Sequence, residues 1–175
     1  FLWYAPAAEE RLPPPRGLAE VDGALAPAKK DGTRFDFDSL SAQAVMVVDA
    51  ASRETLLANR SRAPHSMASL TKLMTAMVVL DRRVPMTRTM ILAKKDEVGG
   101  ARLRVVVGTR LTVRDLFYAM LVGSANNAAN ALARSTNLDA DTFIGKMNGK
   151  AEELGLRGTK FVDTSGMDAR NVSTP

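Results

Sequence analysis

Ser69 and Lys72 stand three residues apart in the run from His65 to Asp81. Neighbours at that spacing lie one turn apart on one surface of a helix, so a hydroxyl and an amine can come within hydrogen-bonding reach. If the amine is held neutral by an apolar, cationic setting, the pair is a nucleophile beside its base. A helix start adds to this, because its dipole and free backbone amides favour a developing anion. The pair alone does not establish catalysis. Ser and Lys are common, and a serine at a helix start can simply cap free amides while the lysine is solvated. Ser124-Ala125-Asn126 is a second element, a hydroxyl and an amide two apart in the break between two helical patterns. Capping chemistry explains that spacing equally well. The same Ser-x-Asn spacing recurs at Ser135-Thr136-Asn137, but that copy precedes Asp139 in a loop-like stretch. The first copy follows Gly123 at a tight corner between helices, where side chains can project into a cleft.

The rest of the composition narrows the chemistry. The chain has 175 residues and 46% hydrophobic side chains, enough for a globular fold with a sizeable core. It has no cysteine, which removes thiol catalysis and Cys-ligated zinc. His65 is the only histidine, so neither a multi-His metal site nor an HExxH motif can be built, and no metal or cofactor is expected. A Ser-His-Asp site is disfavoured as well: His65 lies four residues from Ser69, and there is no Gly-x-Ser-x-Gly elbow. The net charge of +5 is uneven, and residues 81–110 hold eight basic against three acidic side chains. Such a patch attracts anions of any kind, and a solvated surface is its plain alternative. Aromatic residues are only 5% and no nucleic-acid-binding signature accompanies the patch, so nucleic acid is not an expected partner.

Periodicity supplies the elements that must position these residues. Residues 1–40 read as a possible remnant of a secretory signal, Phe1 to Ala8, followed by a Pro-rich linker around Pro13-Pro14-Pro15. No apolar run is long enough to span a bilayer, so no stable transmembrane span is expected, and peripheral membrane contact stays open. The folded part is expected over 41–175. Ala44–Val48 and Glu54–Asn59 are predicted as the arms of a hairpin, Thr89–Ala93 and Leu103–Val107 as extended segments, and Thr159–Asp163 as a closing strand. In the opening helix, Leu70, Leu73, Met74, Met77 and Leu80 are predicted to form the core-facing stripe. A second helix has Val113, Leu116, Phe117, Met120 and Leu121 on one face, with a capping box at Thr112 and Asp115. A small-residue helix follows Ser124. Another, capped by Asp139 and ended by Gly155, carries Ile144, Met147, Ala151 and Leu154 on one face.

Taken in order, these runs resemble a known family. Ala68-Ser69-Leu-Thr-Lys72-Leu-Met-Thr-Ala-Met-Val-Val-Leu-Asp81 and Ser124-Ala-Asn126-Asn-Ala-Ala are similar to the serine D-alanyl-D-alanine peptidases, the low-molecular-mass penicillin-binding proteins. Leu111-Thr-Val-Arg-Asp-Leu116 and Leu154-Gly-Leu-Arg-Gly-Thr-Lys-Phe161 extend the match. Val84-Pro85-Met86 and Asn171-Val-Ser-Thr174 look most like the endopeptidase branch. The resemblance covers about 41–175. It implies a mixed α/β (α+β) fold of the penicillin-binding-protein and β-lactamase type, with an antiparallel sheet, helices on both sides and a helical subregion. Within it Ser69 would be the acylated nucleophile, Lys72 its general base, Ser124 a proton relay and Asn126 a holder of the substrate amide. The implied partners are peptidoglycan peptides, with β-lactams as covalent inhibitors, and the implied location is periplasmic, with association to the inner membrane left open. The family's third motif, Lys-Thr-Gly, is not found, and Gly158-Thr159-Lys160 has the letters reversed. That motif normally lies farther downstream, so the chain is expected to be the N-terminal portion of the catalytic domain, lacking the end of the fold and inactive by itself. Two other readings are a β-lactamase and a non-catalytic module that binds an anionic cell-wall polymer through residues 81–110. Against the β-lactamase stand the absence of a Glu-x-x-Leu-Asn segment and Ala125 where class A enzymes carry aspartate.

Overall fold

A short β-branched run ended by an aspartate turn folds back on the segment after it. In the computed structural model, which describes residues 41–175, β1 (Val45–Val48) and β2 (Thr55–Asn59) pair antiparallel with Val45 opposite Asn59. The Asp49 carboxylate closes the turn by accepting hydrogen bonds from the amides of Ala51 and Ser52 and from the Ser52 hydroxyl. Both arms were predicted. The reading of residues 1–40 as a signal remnant and linker lies outside the described residues. Two compact units are present, the hairpin in one and Pro64–Thr174 forming the other.

Within Pro64–Thr174 the chain opens with β3 (His65–Ser66) and a 3-10 turn at Ala68–Leu70, then enters α1 (Thr71–Asp81). β4 (Thr89–Ile91) and β5 (Arg110–Thr112) pair antiparallel, with Met90 opposite Leu111. Three helices follow: α2 (Val113–Leu121), α3 (Asn126–Ser135) and α4 (Ala140–Glu153). β6 (Val172–Ser173) then returns to pair antiparallel with β3. The predicted caps are in place: Thr112 and Asp115 make their reciprocal bonds at the start of α2, and Asp139 accepts from the Thr142 amide at the start of α4.

The core lies where α1, α2, α3 and α4 meet. Met74, Val78 and Val79 of α1 pack with Leu116, Phe117 and Met120 of α2 and with Phe143 and Met147 of α4. Each such side chain contributes roughly 2 kcal/mol by leaving water. Ala128, Ala129 and Ala131 of α3 are fully buried, and their small size lets neighbouring backbones approach. A charge pair between half-buried Arg134 and buried Asp96 fastens α3 to the segment after β4. Arg134 donates to both oxygens of Asp96, at 2.7 and 2.6 Å, and to the Ile91 carbonyl.

Four expectations are corrected. First, the helix begins at Thr71, and its buried face is Thr71, Lys72, Met74, Thr75, Val78 and Val79. Leu70 and Leu73 are 65% and 55% exposed, and Leu80 is exposed too. α1 is apolar almost all round, so spacing alone could not select the face, and the polar Lys72 and Thr75 face inward to hydrogen-bonding partners, with the Thr71 hydroxyl buried beside them and unpaired. Second, Leu103–Val107 is not a strand. The Leu103 amide and carbonyl bond to the Asn127 side chain, which satisfies the backbone without a ladder, and β5 forms three residues later. Third, Thr159–Asp163 makes only a single bridge, Lys160 with Val172, and the closing strand is β6. Fourth, Leu121 and Leu154, placed by periodicity on buried faces, lie at helix ends and are exposed.

Candidate active site

Ser69 sits in the 3-10 turn just ahead of α1, not within the α-helix. The preceding Ala68 has φ 45°, a left-handed conformation that costs an L residue about 1 kcal/mol and persists only where surroundings impose it. Two neighbours impose it here. β3 leads into the turn and is held by β6, while the Met67 amide donates to the Asn171 carbonyl at 3.0 Å. Asn171 is fully buried, and its side-chain oxygen accepts from the Val162 amide at 2.7 Å. The segment that begins the site is therefore braced by residues about a hundred positions later.

Lys72 is only 1% exposed. Its Nζ lies 3.0 Å from Ser69 Oγ and donates to the Ser165 carbonyl at 2.7 Å. Burial holds its pKa below the ordinary lysine value, and the Asp163 carboxylate acts in the opposite direction. A neutral amine has one lone pair. With an N–H fixed on the Ser165 carbonyl, the lone pair can be aimed at the Ser69 hydroxyl.

Ser124 Oγ donates to Ser69 Oγ at 2.9 Å from the other side. Ser124 occupies the corner between α2 and α3 with φ 53°, anchored by the next amide, Ala125 to the Ala119 carbonyl at 3.0 Å. Ser69, Lys72 and Ser124 line one cavity of about 350 Å³, walled by Leu70, Leu73 and Leu121. Exposed Leu70 of the 3-10 turn and Leu73 of α1 thus border the site.

The buried Asn126 uses its Nδ2 to donate to the Gly99 carbonyl at 2.7 Å, and its amide donates to Ala101 O at 2.8 Å. No donor among the described residues reaches its Oδ1. Ser69 and Lys72 are brought together as their spacing predicted, Ser124 joins them from 55 residues along the chain, and Asn126 opens the next helix. The second Ser-x-Asn copy is structural: the Ser135 hydroxyl donates back to Leu132 O, and Asn137 Oδ1 accepts from Arg88. His65 makes no hydrogen bond to Ser69, and its Nε2 is buried without a partner. No cluster of possible metal ligands occurs among the described residues.

The sequence reading missed the loop 163–168. The Asp163 carboxylate accepts from the amides of Ser165, Gly166 and Asp168 at 2.7, 2.6 and 2.6 Å, which fixes the Ser165 carbonyl over Lys72. Asp163-Thr164-Ser165-Gly166 carries a turn signal, which begins at the last residue of the strand expected over Thr159–Asp163.

The model of the D-alanyl-D-alanine carboxypeptidase family matches residues 31–175. The chain belongs to that family. It is 35% identical over 137 residues to the D-alanyl-D-alanine endopeptidase of Pseudomonas aeruginosa, covering 77% of this chain and 44% of that protein. It is 34% identical to the Escherichia coli protein of the same name, with the same shares covered. Among solved structures, a D-alanyl-D-alanine carboxypeptidase from Mycobacterium tuberculosis superposes with a TM-score of 0.69 at 31% identity, over 76% of this chain and 51% of that one. The Streptomyces K15 DD-transpeptidase gives 0.65 at 31% identity, over 71% and 52%. The penicillin-binding-protein type of fold implied by the motifs is thus the fold of this chain. The chain spans less than half the length of the endopeptidases it matches.

Proposed function

We propose that this protein is a serine-type D,D-peptidase acting on peptidoglycan stem peptides or their cross-links, and that it works in the periplasm. The observation that carries this reading is the buried Lys72 amine 3.0 Å from Ser69 Oγ, with Ser124 Oγ at 2.9 Å. Ser69 attacks the carbonyl of the penultimate D-alanine while neutral Lys72 takes its proton. The proton then passes through Ser124 to the leaving amine, and an ester on Ser69 remains. Water hydrolyses that ester and restores the serine. Asn126 holds the substrate amide beside the scissile bond. Similarity to two proteins named D-alanyl-D-alanine endopeptidase supports a cross-link as the preferred bond. No described helix is long and apolar enough to cross a membrane.

A β-lactam presents a strained version of the same amide and is expected to acylate the same serine. Full-length protein incubated with a fluorescent penicillin should carry the label on the peptide containing Ser69, located by mass spectrometry. No label, or a label on another residue, overturns the reading.

Ser124→Ala is expected to slow acylation about 100-fold, the ordinary contribution of a positioned proton-transfer group. Stability should shift by less than about 0.5 kcal/mol, because Ser124 is half-buried and its hydroxyl bonds only to Ser69. Stopped-flow labelling and a thermal melt measure the two quantities. A rate within threefold of wild type removes Ser124 from the proton path.

A further inference from the structure

The basic stretch 81–110 is not used by the Ser69 site, yet part of it lines a groove that reaches the residue next to Ser124. This groove, about 970 Å³, is lined by the loop 100–107 together with Lys94, Glu97 and Gly123. The loop is fastened to the first turn of α3. The Asn126 side chain and amide hold the carbonyls of Gly99 and Ala101, and the Asn127 side chain holds both the amide and the carbonyl of Leu103. The groove wall is therefore indexed to Ser124 and Asn126 by backbone hydrogen bonds.

Its charge is unbalanced. Lys94, Arg102 and Arg104 line it against one carboxylate, Glu97. Glu97 is engaged already, accepting from Asn127 at 3.0 Å and pairing with Arg102 at 3.7 Å. Lys94 and Arg104 have no side-chain hydrogen bond or ion pair among the described residues. Val106, also in the lining, is 80% exposed. Cations interleaved with exposed aliphatic surface suit an extended strand that alternates carboxylates with alkyl segments. The groove lining contains no aromatic side chain on which a nucleobase could stack.

We propose that this groove is the subsite for the acidic part of the peptide substrate. Carboxylates away from the scissile bond sit on Lys94 and Arg104, with alkyl segments against Val106, while the bond to be cut lies at Ser69. The inference rests on the peptidase reading above and adds to it the recognition of an acidic strand.

The test compares two D,D-cross-linked peptide dimers, one with free carboxylates on the residues away from the scissile bond and one with those carboxylates amidated. Full-length protein, wild type and Lys94→Ala/Arg104→Ala, is assayed on both. The wild-type preference for the acidic dimer, expressed as the ratio of kcat/KM values, should fall about tenfold in the double variant, through KM. An unchanged ratio, including one lowered equally on both dimers, overturns the proposal. Binding of the same dimers to Ser69→Ala is measured by calorimetry at two salt concentrations and needs no turnover. If wild type takes no penicillin label and cuts neither dimer, the peptidase reading fails by itself. The groove proposal then survives only if the acidic dimer still binds more tightly and loses that advantage in Ser69→Ala carrying the two further substitutions. Tighter binding of a single-stranded oligonucleotide than of the acidic dimer assigns the groove to nucleic acid and overturns the proposal.

Discussion

Replacing Lys72 by methionine is expected to slow acylation of Ser69 about 1,000-fold or more, while the fold stays as stable as wild type or becomes more stable. The two halves of this expectation have one cause. Lys72 is 1% exposed and its charged form is disfavoured by burial, so it can serve as a neutral base, and it stays buried at an energetic cost. Methionine fills a similar volume without that cost, although it leaves the Ser165 carbonyl without the amine that bonds it at 2.7 Å. The pH dependence separates this account from a structural role. The folded pKa lies below the unfolded value of 10.5. Between the two, the unfolded chain binds the additional proton, so stability should rise with pH up to 10.5. Acylation should rise over the same direction of pH as Lys72 loses its proton, with its midpoint below 10.5. Both slopes should vanish in Lys72→Met. Labelling rates and thermal melts between pH 6 and 10 measure them, and circular dichroism checks that the variant is folded. A labelling rate within tenfold of wild type would remove Lys72 from the chemistry.

The Ser69–Lys72 pair and the corner that carries Ser124 were readable because each is announced by local signals, whereas their meeting across 55 residues was not. Ser69 and Lys72 are three residues apart and Ser124 sits at a corner announced by Gly123. The capping box at Thr112 and Asp115 and the cap at Asp139 are local devices too, and both were legible. The spacing did not show that Ser69 precedes the α-helix, because the φ 45° turn at Ala68 is imposed by residues far along the chain.

The misses share a physical origin. The face of α1 was misjudged because nearly every position on it is apolar or small, so burial was decided by polar partners at 164 and 165. Thr75 donates to the Thr164 carbonyl at 2.7 Å, and Lys72 to that of Ser165. Leu103–Val107 has the composition of a strand, but two side-chain bonds from Asn127 replace the ladder. Such long-range satisfaction of backbone groups leaves no periodic trace. The Asp163 turn left a trace, Asp-Thr-Ser-Gly, which only its contact with Lys72 made meaningful.

Gly166→Ala is the substitution expected to connect that turn to the chemistry most directly. Gly166 has φ 81°, and a Cβ there would run into the Ala68 carbonyl and come within 2.9 Å of Thr71 Oγ1. The left-handed backbone and the overlap with a main-chain carbonyl together should cost about 3 kcal/mol. The chain can relieve the overlap by moving the 163–168 loop or the turn that carries Ser69. The first draws the Ser165 carbonyl off Lys72, and the second draws Ser69 Oγ away from both Lys72 and Ser124. A displacement near 1 Å at reacting groups costs about 100-fold in rate, so labelling should slow by that factor in protein that is still folded at the assay temperature. Thermal melts and labelling rates read the two effects independently. A large loss of stability with an unchanged labelling rate would show that the Ser165 carbonyl does not set the geometry of Lys72.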